Sequence, residues 1–402
     1  MSMIPLDEAR RYALAACEPF HPTAVSLADA LGLVASVAVK AEEPVPPFAN
    51  TAMDGYAVRA ADTAGAPVTL EVVGALAAGA APDVEVGPGQ AVRIMTGAPM
   101  PAGADAVVMV ELTQPGPDGS SVEVQGAVDV GQSVRPAGSD LALGDVVLDR
   151  GTVLTAGHLG VLASLGIRRA PVYRRARVGV LSTGDELSDD PGPLRPGQIR
   201  DSNRPTLLAL LRGSGCEAVD LGLVRDDEEA ISAAVRRGTE ECDAVLTSGG
   251  VSVGDFDFVK TVLDRLGRMR WMQVAIRPAK PFAFGTVDGT PVFGLPGNPV
   301  SSMVSFELFA RPALRQMMGH TQLDRPRARV VADQPLRRTP DGKVHFVRAV
   351  ATMGADGRYH VRSAGGQGSH QLAAMAAANA LAVLPDGDGV AAGAEVDALL
   401  LS

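Results

Sequence analysis

An apolar run at Ala244–Leu246 gives way to Thr247-Ser-Gly-Gly-Val-Ser-Val-Gly254, after which Phe256, Val259 and Val262 resume at helical spacing. This pattern predicts a short buried strand, a glycine turn and a helix. At such a turn several main-chain N–H groups lack partners and point beyond the sheet edge. Glycine lets a ligand come close to them, so a phosphate-bearing anion is the expected occupant. The same alternation runs on from about residue 173, with strands expected at 176–181, 219–224 and 244–246 and helices at 204–212, 227–237 and 256–266. It reads as an α/β unit built on a doubly wound, mostly parallel sheet.

The flanking sequence has a different texture. Helices are expected at 5–18 and 26–32 and a strand over Leu33–Val39, until Glu43-Pro-Val-Pro-Pro47 breaks the pattern. Short β-type runs separated by Gly/Pro turns fill the next stretch, and similar runs return near the end of the chain after a helix expected at 302–317. An Ala-rich helix is expected at 371–380. The division that follows is multidomain: an elongated N-terminal domain (1–45 plus 141–172), an inserted β-rich domain (46–140), the α/β domain (173–322) and a C-terminal β-barrel-like domain (323–402).

A net charge of −10 argues against a general affinity for nucleic acid or an anionic membrane, which want a basic face. An anionic ligand must therefore be held by local cations. Cys17, Cys216 and Cys242 are odd in number, widely spaced and without CxxC, which suggests neither a disulfide framework nor a zinc site and fits the cytoplasm. Neither an apolar leader nor a membrane-length apolar stretch is read from the sequence.

In an open parallel sheet the ligand sits beyond the carboxyl ends of the strands, so the residues after each strand carry the chemistry. Three strands here end in acids: Glu186 after the first, Asp226 and Asp227 after the second, and Asp255 and Asp257 after the glycine turn. Carboxylates converging beside a phosphate cradle make a magnesium site, with the metal bridging acid and phosphate. For Asp227 a helix N-cap explains the residue equally well. Downstream, Arg277 and Lys280 are held apart by prolines at a spacing that can grip a tetrahedral oxyanion, and Leu295-Pro-Gly-Asn-Pro299 adds the turn residues Pro296, Asn298 and Pro299. Gly250-Val-Ser-Val-Gly254 also matches the nucleophile elbow of α/β hydrolases, with His320, His345 and His370 downstream. None of these histidines sits in a local motif, so Ser252 reads better as a turn or ligand-binding residue.

With these residues in place the chain resembles the molybdopterin molybdenumtransferase (MoeA) family, which includes the E domain of gephyrin. The resemblance runs end to end through ordered motifs: Pro46-Pro-Phe-Ala-Asn-Thr-Ala-Met-Asp-Gly-Tyr-Ala-Val58, Arg93-Ile-Met-Thr-Gly-Ala-Pro99, Ser182-Thr-Gly-Asp-Glu-Leu187, Asp201-Ser-Asn203, the glycine turn and Leu295-Pro-Gly-Asn-Pro-Val-Ser301. It implies a homodimer whose site lies between the α/β domain of one subunit and the inserted domain of the other. The implied reaction takes adenylylated molybdopterin, inserts molybdenum from molybdate in a magnesium-dependent step and releases AMP. A molybdopterin adenylyltransferase and proteins that mature molybdenum enzymes are the implied partners.

Carried over position by position, the resemblance assigns catalytic roles to Asp54, Thr96, Asp140, Glu186, Asp226 and Asp257, of which the last three are the implied magnesium ligands. It assigns ligand binding to Ser248, Gly249, Gly250, Ser252, Pro296, Asn298 and Pro299, and places molybdate near Arg277, Lys280, Ser301, Arg348 and Ser369. Arg277 and Ala279 stand where many members have Lys and Gly, and Ala49 replaces an acid common in the first motif. Two other readings stay open: a sibling adenylyltransferase, which lacks the flanking domains, and a dimeric scaffold, which would call for long linkers.

Overall fold

The computed structural model describes residues 2–250 and 258–401. Its central sheet runs Glu217–Val224, Arg177–Thr183, Ala244–Ser248, Thr290–Leu295, Pro281–Val287, Gly267–Gln273. The first four strands are parallel, with Val178 opposite Ala244 and Val245 opposite Val292; Pro281–Val287 runs antiparallel to them and Gly267–Gln273 antiparallel to it in turn. Ala244–Ser248 is buried at every position, as a strand covered on both faces must be. One face packs Leu207, Leu211, Phe282 and Phe293; the other packs Ile231, Val235, Val259 and Val262 from the helices Glu228–Glu241 and Phe258–Leu266. The sheet is thus doubly wound and mostly parallel, as its sequence texture predicts.

The helix Leu6–Ala15 comes first in the chain yet packs Ala9 and Ala13 into the first of these cores, and Ile4 donates to Gln273 O at the sheet edge. The N-terminal unit proper has its own core, in which Leu33 and Ala35 meet Leu154, Leu162 and Val172. The strand expected over Leu33–Val39 is split into Val34–Ala35 and Val39–Lys40. The first piece pairs with Arg169–Tyr173 and the second with Val146–Leu148, so the chain changes partners between them. The helix expected at 26–32 shortens to a single 3-10 turn, Leu27–Asp29.

The inserted region forms a six-stranded half-barrel sheet centred on Gln90–Ile94 and Val68–Leu76. At the other end, Val344–Met353 pairs with both Tyr359–Ser363 and Ala380–Leu384 and so closes a barrel with Arg327–Ala332 and Glu395–Leu400. Barrel pairing overrides alanine's helix propensity: the helix expected at 371–380 is only Leu372–Ala376, and Ala380 begins a strand. The helix expected at 302–317 is Pro299–Ser305, a π turn at Phe306–Ala310 and Arg311–Met317. Cys17, Cys216 and Cys242 are buried and unbridged, and burial pushes the Cys17 and Cys216 thiols up to about 12. Among the described residues no helix is long and apolar enough to cross a membrane.

Candidate active site

Four parallel strands end side by side at one edge of the sheet. Arg177–Thr183 leads to Asp185 and Glu186, Glu217–Val224 to Asp226, Ala244–Ser248 to Gly249 and Gly250, and Thr290–Leu295 to Pro296 and Asn298. The glycine turn needs its glycines: φ is 98° at Gly249 and 69° at Gly250, and a Cβ on Gly249 would lie 3.0 Å from Thr183 O. Gly249 N–H donates to Leu295 O at 3.1 Å, which ties the turn to the neighbouring strand end.

Asn203, at the start of the helix Asn203–Gly213, closes the cradle from a third side. Its Nδ2 donates to Ser248 Oγ at 2.8 Å and to Gly297 O at 2.7 Å. Asn203 is itself held by Asp201, whose Oδ1 accepts from Ser182 Oγ at 3.2 Å and from the Asn203 and Arg204 amides at 3.1 Å each. Sequence reasoning gave Asn203 no role. The signal was its place at the end of Asp201-Ser-Asn203, but its partners stand 45 and 94 residues away. On the opposite wall Pro299 opens the helix Pro299–Ser305, and the Asn298 side chain makes no capping bond, which leaves its amide available to a ligand.

The acids gather at the other end of the cradle. Asp226 is half-buried, and its amide and carboxylate exchange hydrogen bonds with those of Asp185 at 3.3 and 3.4 Å. Burial, followed by the charges of Asp185 and Glu186, raises the Asp226 carboxyl above its ordinary range despite the bond it accepts from the Asp185 amide. A cation would relieve that repulsion, and carboxylate oxygens are the donors magnesium prefers. Among the described residues no three His, Cys, Asp or Glu side chains are grouped closely enough to hold a metal alone. Asp257, the third acid expected here, and Ser252 lie outside the described residues. Asp227 caps the helix Glu228–Glu241 by accepting from the Ala230 amide at 2.9 Å, which fulfils the capping alternative.

The cations lie where the barrel docks. Ile276–Arg277 pairs with Val344 and His345 of the barrel, and this places Arg277 on the seam between the two units. There Arg277, Lys280, Ser301 and Ser369, with Pro296 and Asn298, line one cavity of about 250 Å³. Between the two cations Ala279 has φ 74°, a left-handed conformation that favours glycine. Arg348 lies under the adjoining wall, fully buried: one terminal nitrogen donates to Gly366 O and Gly368 O at 2.9 and 3.3 Å, while Nε and the other have no partner. Burial lowers the pKa of this guanidinium. It thus puts an uncompensated positive charge behind the loop that carries Ser369.

The acids of the inserted region stand apart. Asp54 Oδ1 accepts from the Thr96 amide at 2.6 Å and from Thr96 Oγ1 at 2.8 Å, and those bonds hold its carboxyl below the usual range. Asp140 is exposed, with its amide on Val45 O. None of these three residues lines the cation cavity.

Three family profiles match the chain: the MoeA N-terminal region (domain I and II) over residues 4–166, a probable molybdopterin binding domain over 179–316 and the MoeA C-terminal region (domain IV) over 330–401. A molybdopterin molybdenumtransferase from Haemophilus influenzae is 40% identical over 397 residues, 98% of each chain. This chain belongs to the molybdopterin molybdenumtransferase family. Molybdopterin molybdenumtransferase 2 of Mycobacterium tuberculosis is 41% identical over 96% of both chains. The fold agrees: a crystal structure of the MoeA molybdopterin biosynthesis protein from Pyrococcus horikoshii superposes with a TM-score of 0.81 at 30% identity, covering 99% of this chain and all of the other. Membership makes the chain a molybdenumtransferase of molybdenum cofactor biosynthesis.

Proposed function

We propose that this molybdenumtransferase takes adenylylated molybdopterin, loads its dithiolene with molybdenum from molybdate and releases AMP. The observation that carries this reading is the convergence of Arg277, Lys280, Ser301 and Ser369, from three separate stretches of sequence, on one cavity of about 250 Å³. Two cations and two hydroxyls suit a tetrahedral oxyanion, with charge from the former and hydrogen-bond donors from the latter. Along the same edge Ser248, Gly249, Gly250 and Asn298 would hold the pterin-side phosphate, and the pyrophosphate would span the distance to the acids. Water then cleaves the phosphoanhydride, AMP leaves and the pterin keeps its phosphate, and the two dithiolene thiols displace one oxo group of molybdate, their protons leaving with it as water.

Glu186 and Asp226, with Asp257, would hold magnesium. When bound it would neutralise charge on the departing phosphate, a contribution worth several kcal/mol in such sites. The chain's own cations do the rest: Arg277 and Lys280 fix molybdate, and buried Arg348 adds a positive field from behind the Ser369 loop. Because Arg277 keeps the charge of the more usual Lys, the departure alters the geometry of the grip rather than its sign.

We further propose that the working unit is a homodimer in which Asp54, Thr96 and Asp140 complete the site from a second copy of the chain. Their position away from the cation cavity supports this. So do Val130, Leu143 and Val146, apolar side chains left 74%, 70% and 53% exposed near Asp140 in sequence. A molybdopterin adenylyltransferase would supply the substrate, and proteins that mature molybdenum enzymes would take the product. The test is AMP release by the purified protein with magnesium, with and without molybdate. Molybdate-dependent release supports the reading, and turnover of adenylylated molybdopterin that ignores molybdate overturns it.

A further inference from the structure

A second cavity of about 410 Å³ lies at the opposite end of the α/β unit, between that unit and the N-terminal one. Arg174 and Arg175, at its wall, directly precede the strand Arg177–Thr183, whereas the candidate active site follows that strand's other end. A seven-residue strand spans roughly 23 Å, so the two sites are well separated.

The wall carries four arginines and His320 and no acidic residue. Asp243 neutralises Arg174, bonded to it at 2.5 and 2.6 Å. The others keep their charge. Arg175 donates to Gly215 O and Leu31 O, Arg315 donates through Nε to Gln322 O, and Arg212 is exposed. Two helices, Asn203–Gly213 and Arg311–Met317, also end here. Their carbonyl ends contribute about half a negative charge each. Three unpaired guanidiniums against about one opposing charge leave the cavity positive.

Two unsatisfied polar atoms point to a missing ligand. Ser214 is only 6% exposed and its Oγ has no partner; Nδ1 of His320 is buried and likewise unpartnered. Burial, with Arg315 and Arg311 close by, drops His320 to about 4, so the ring is neutral at pH 7 and can donate or accept. Buried polar groups without partners are rare enough in folded proteins to call for an explanation.

We propose that this cavity binds a tetrahedral oxyanion, either free or as the headgroup of a small phosphate monoester, with Arg175, Arg212 and Arg315 supplying charge and Ser214 a hydroxyl donor. Gly32, Val34 and Val153 on one side and the two helix ends on the other would then be bridged by the ligand, which makes this a joint between two units of the subunit. The test is calorimetric titration of the full chain with inorganic phosphate and with glycerol 3-phosphate. The titrations use Lys280→Gln as the parent protein, because the active-site cavity also suits an oxyanion and loss of Lys280 weakens that site. Arg212→Gln, an exposed position whose loss leaves the fold intact, should weaken binding by at least about tenfold, the equivalent of one charge-assisted hydrogen bond. Ser214→Ala should weaken it in the same direction. Equal affinity for both probes assigns a free oxyanion, and tighter binding of glycerol 3-phosphate assigns the ester. Absence of binding in the Lys280→Gln parent, or binding there that Arg212→Gln and Ser214→Ala leave unchanged, overturns the proposal.

Discussion

Asn203→Ala separates the architecture of the cradle from its chemistry, because Asn203 is neither charged nor reactive. Its side chain makes two hydrogen bonds, at 2.8 Å to Ser248 Oγ and at 2.7 Å to Gly297 O, and one of them is solvent-exposed. At about 1 kcal/mol for each such bond, less for the exposed one and less again for alanine's better helix propensity, the net loss of stability comes to about 1 kcal/mol. A unit of this size should then melt about 2–5 °C lower. The larger effect should be on turnover. The bonds clamp the end of Ala244–Ser248 to the Pro296–Asn298 loop, and a misplacement of about 1 Å between cradle and acids costs about 100-fold in rate. Thermal unfolding and steady-state AMP release on the same preparation would read both quantities. A melting shift of the expected size with unchanged kcat and KM would refute the reasoning, since Asn203 would then be a structural clamp with no hold on the reacting groups.

Further outcomes follow from the same geometry. Gly249→Ala should destabilise the protein by about 1–2 kcal/mol in urea unfolding, because its φ of 98° suits only glycine and the added Cβ meets Thr183 O. Gly297→Ala, where the nearest atom is 3.8 Å away, should fold normally. Arg348→Met removes a buried charge with two unpartnered nitrogens and should reduce the thermal stabilisation expected from molybdate in the wild type, about 2.7 kcal/mol at 100 times Kd. Asp226 has a raised carboxyl pKa in the fold, so the native state holds its proton more tightly and stability falls as pH rises from about 3.9 through the folded value. Asp226→Asn should therefore stabilise the metal-free protein at pH 7 in urea titrations, and that gain should vanish below about pH 3.9.

The parts of the site legible in the sequence are those fixed by local chain geometry. The strand Ala244–Ser248 and the turn at Gly249 and Gly250 form a contiguous pattern, and the helix expected at 204–212 is Asn203–Gly213. Asp227 obeys the capping rule from its own neighbourhood. What escaped the sequence depends on distant segments. The antiparallel pair Gly267–Gln273 and Pro281–Val287 was hidden because Arg268 and Arg270 interrupt the apolar pattern of an edge strand and Pro281 opens its partner. The role of Asn203 exists only once its two partners are brought to it. Arg348 was expected among ligand-binding groups, yet its burial follows from the docking of the barrel on the α/β unit. In Val344–Met353 it shares a face with Phe346, which packs in the α/β core, whereas Ala349 and Ala351 on the other face fill the barrel.

The central claim is that one site couples loss of AMP to gain of molybdenum. A single-turnover reaction of stoichiometric enzyme, adenylylated molybdopterin, magnesium and molybdate tests it most directly, with AMP and molybdenum-loaded cofactor quantified at each time point. The account predicts that the two products appear together in equal amounts and that both are lost in Lys280→Gln. AMP formed at full rate without loaded cofactor, or loading undiminished in Lys280→Gln, would contradict it.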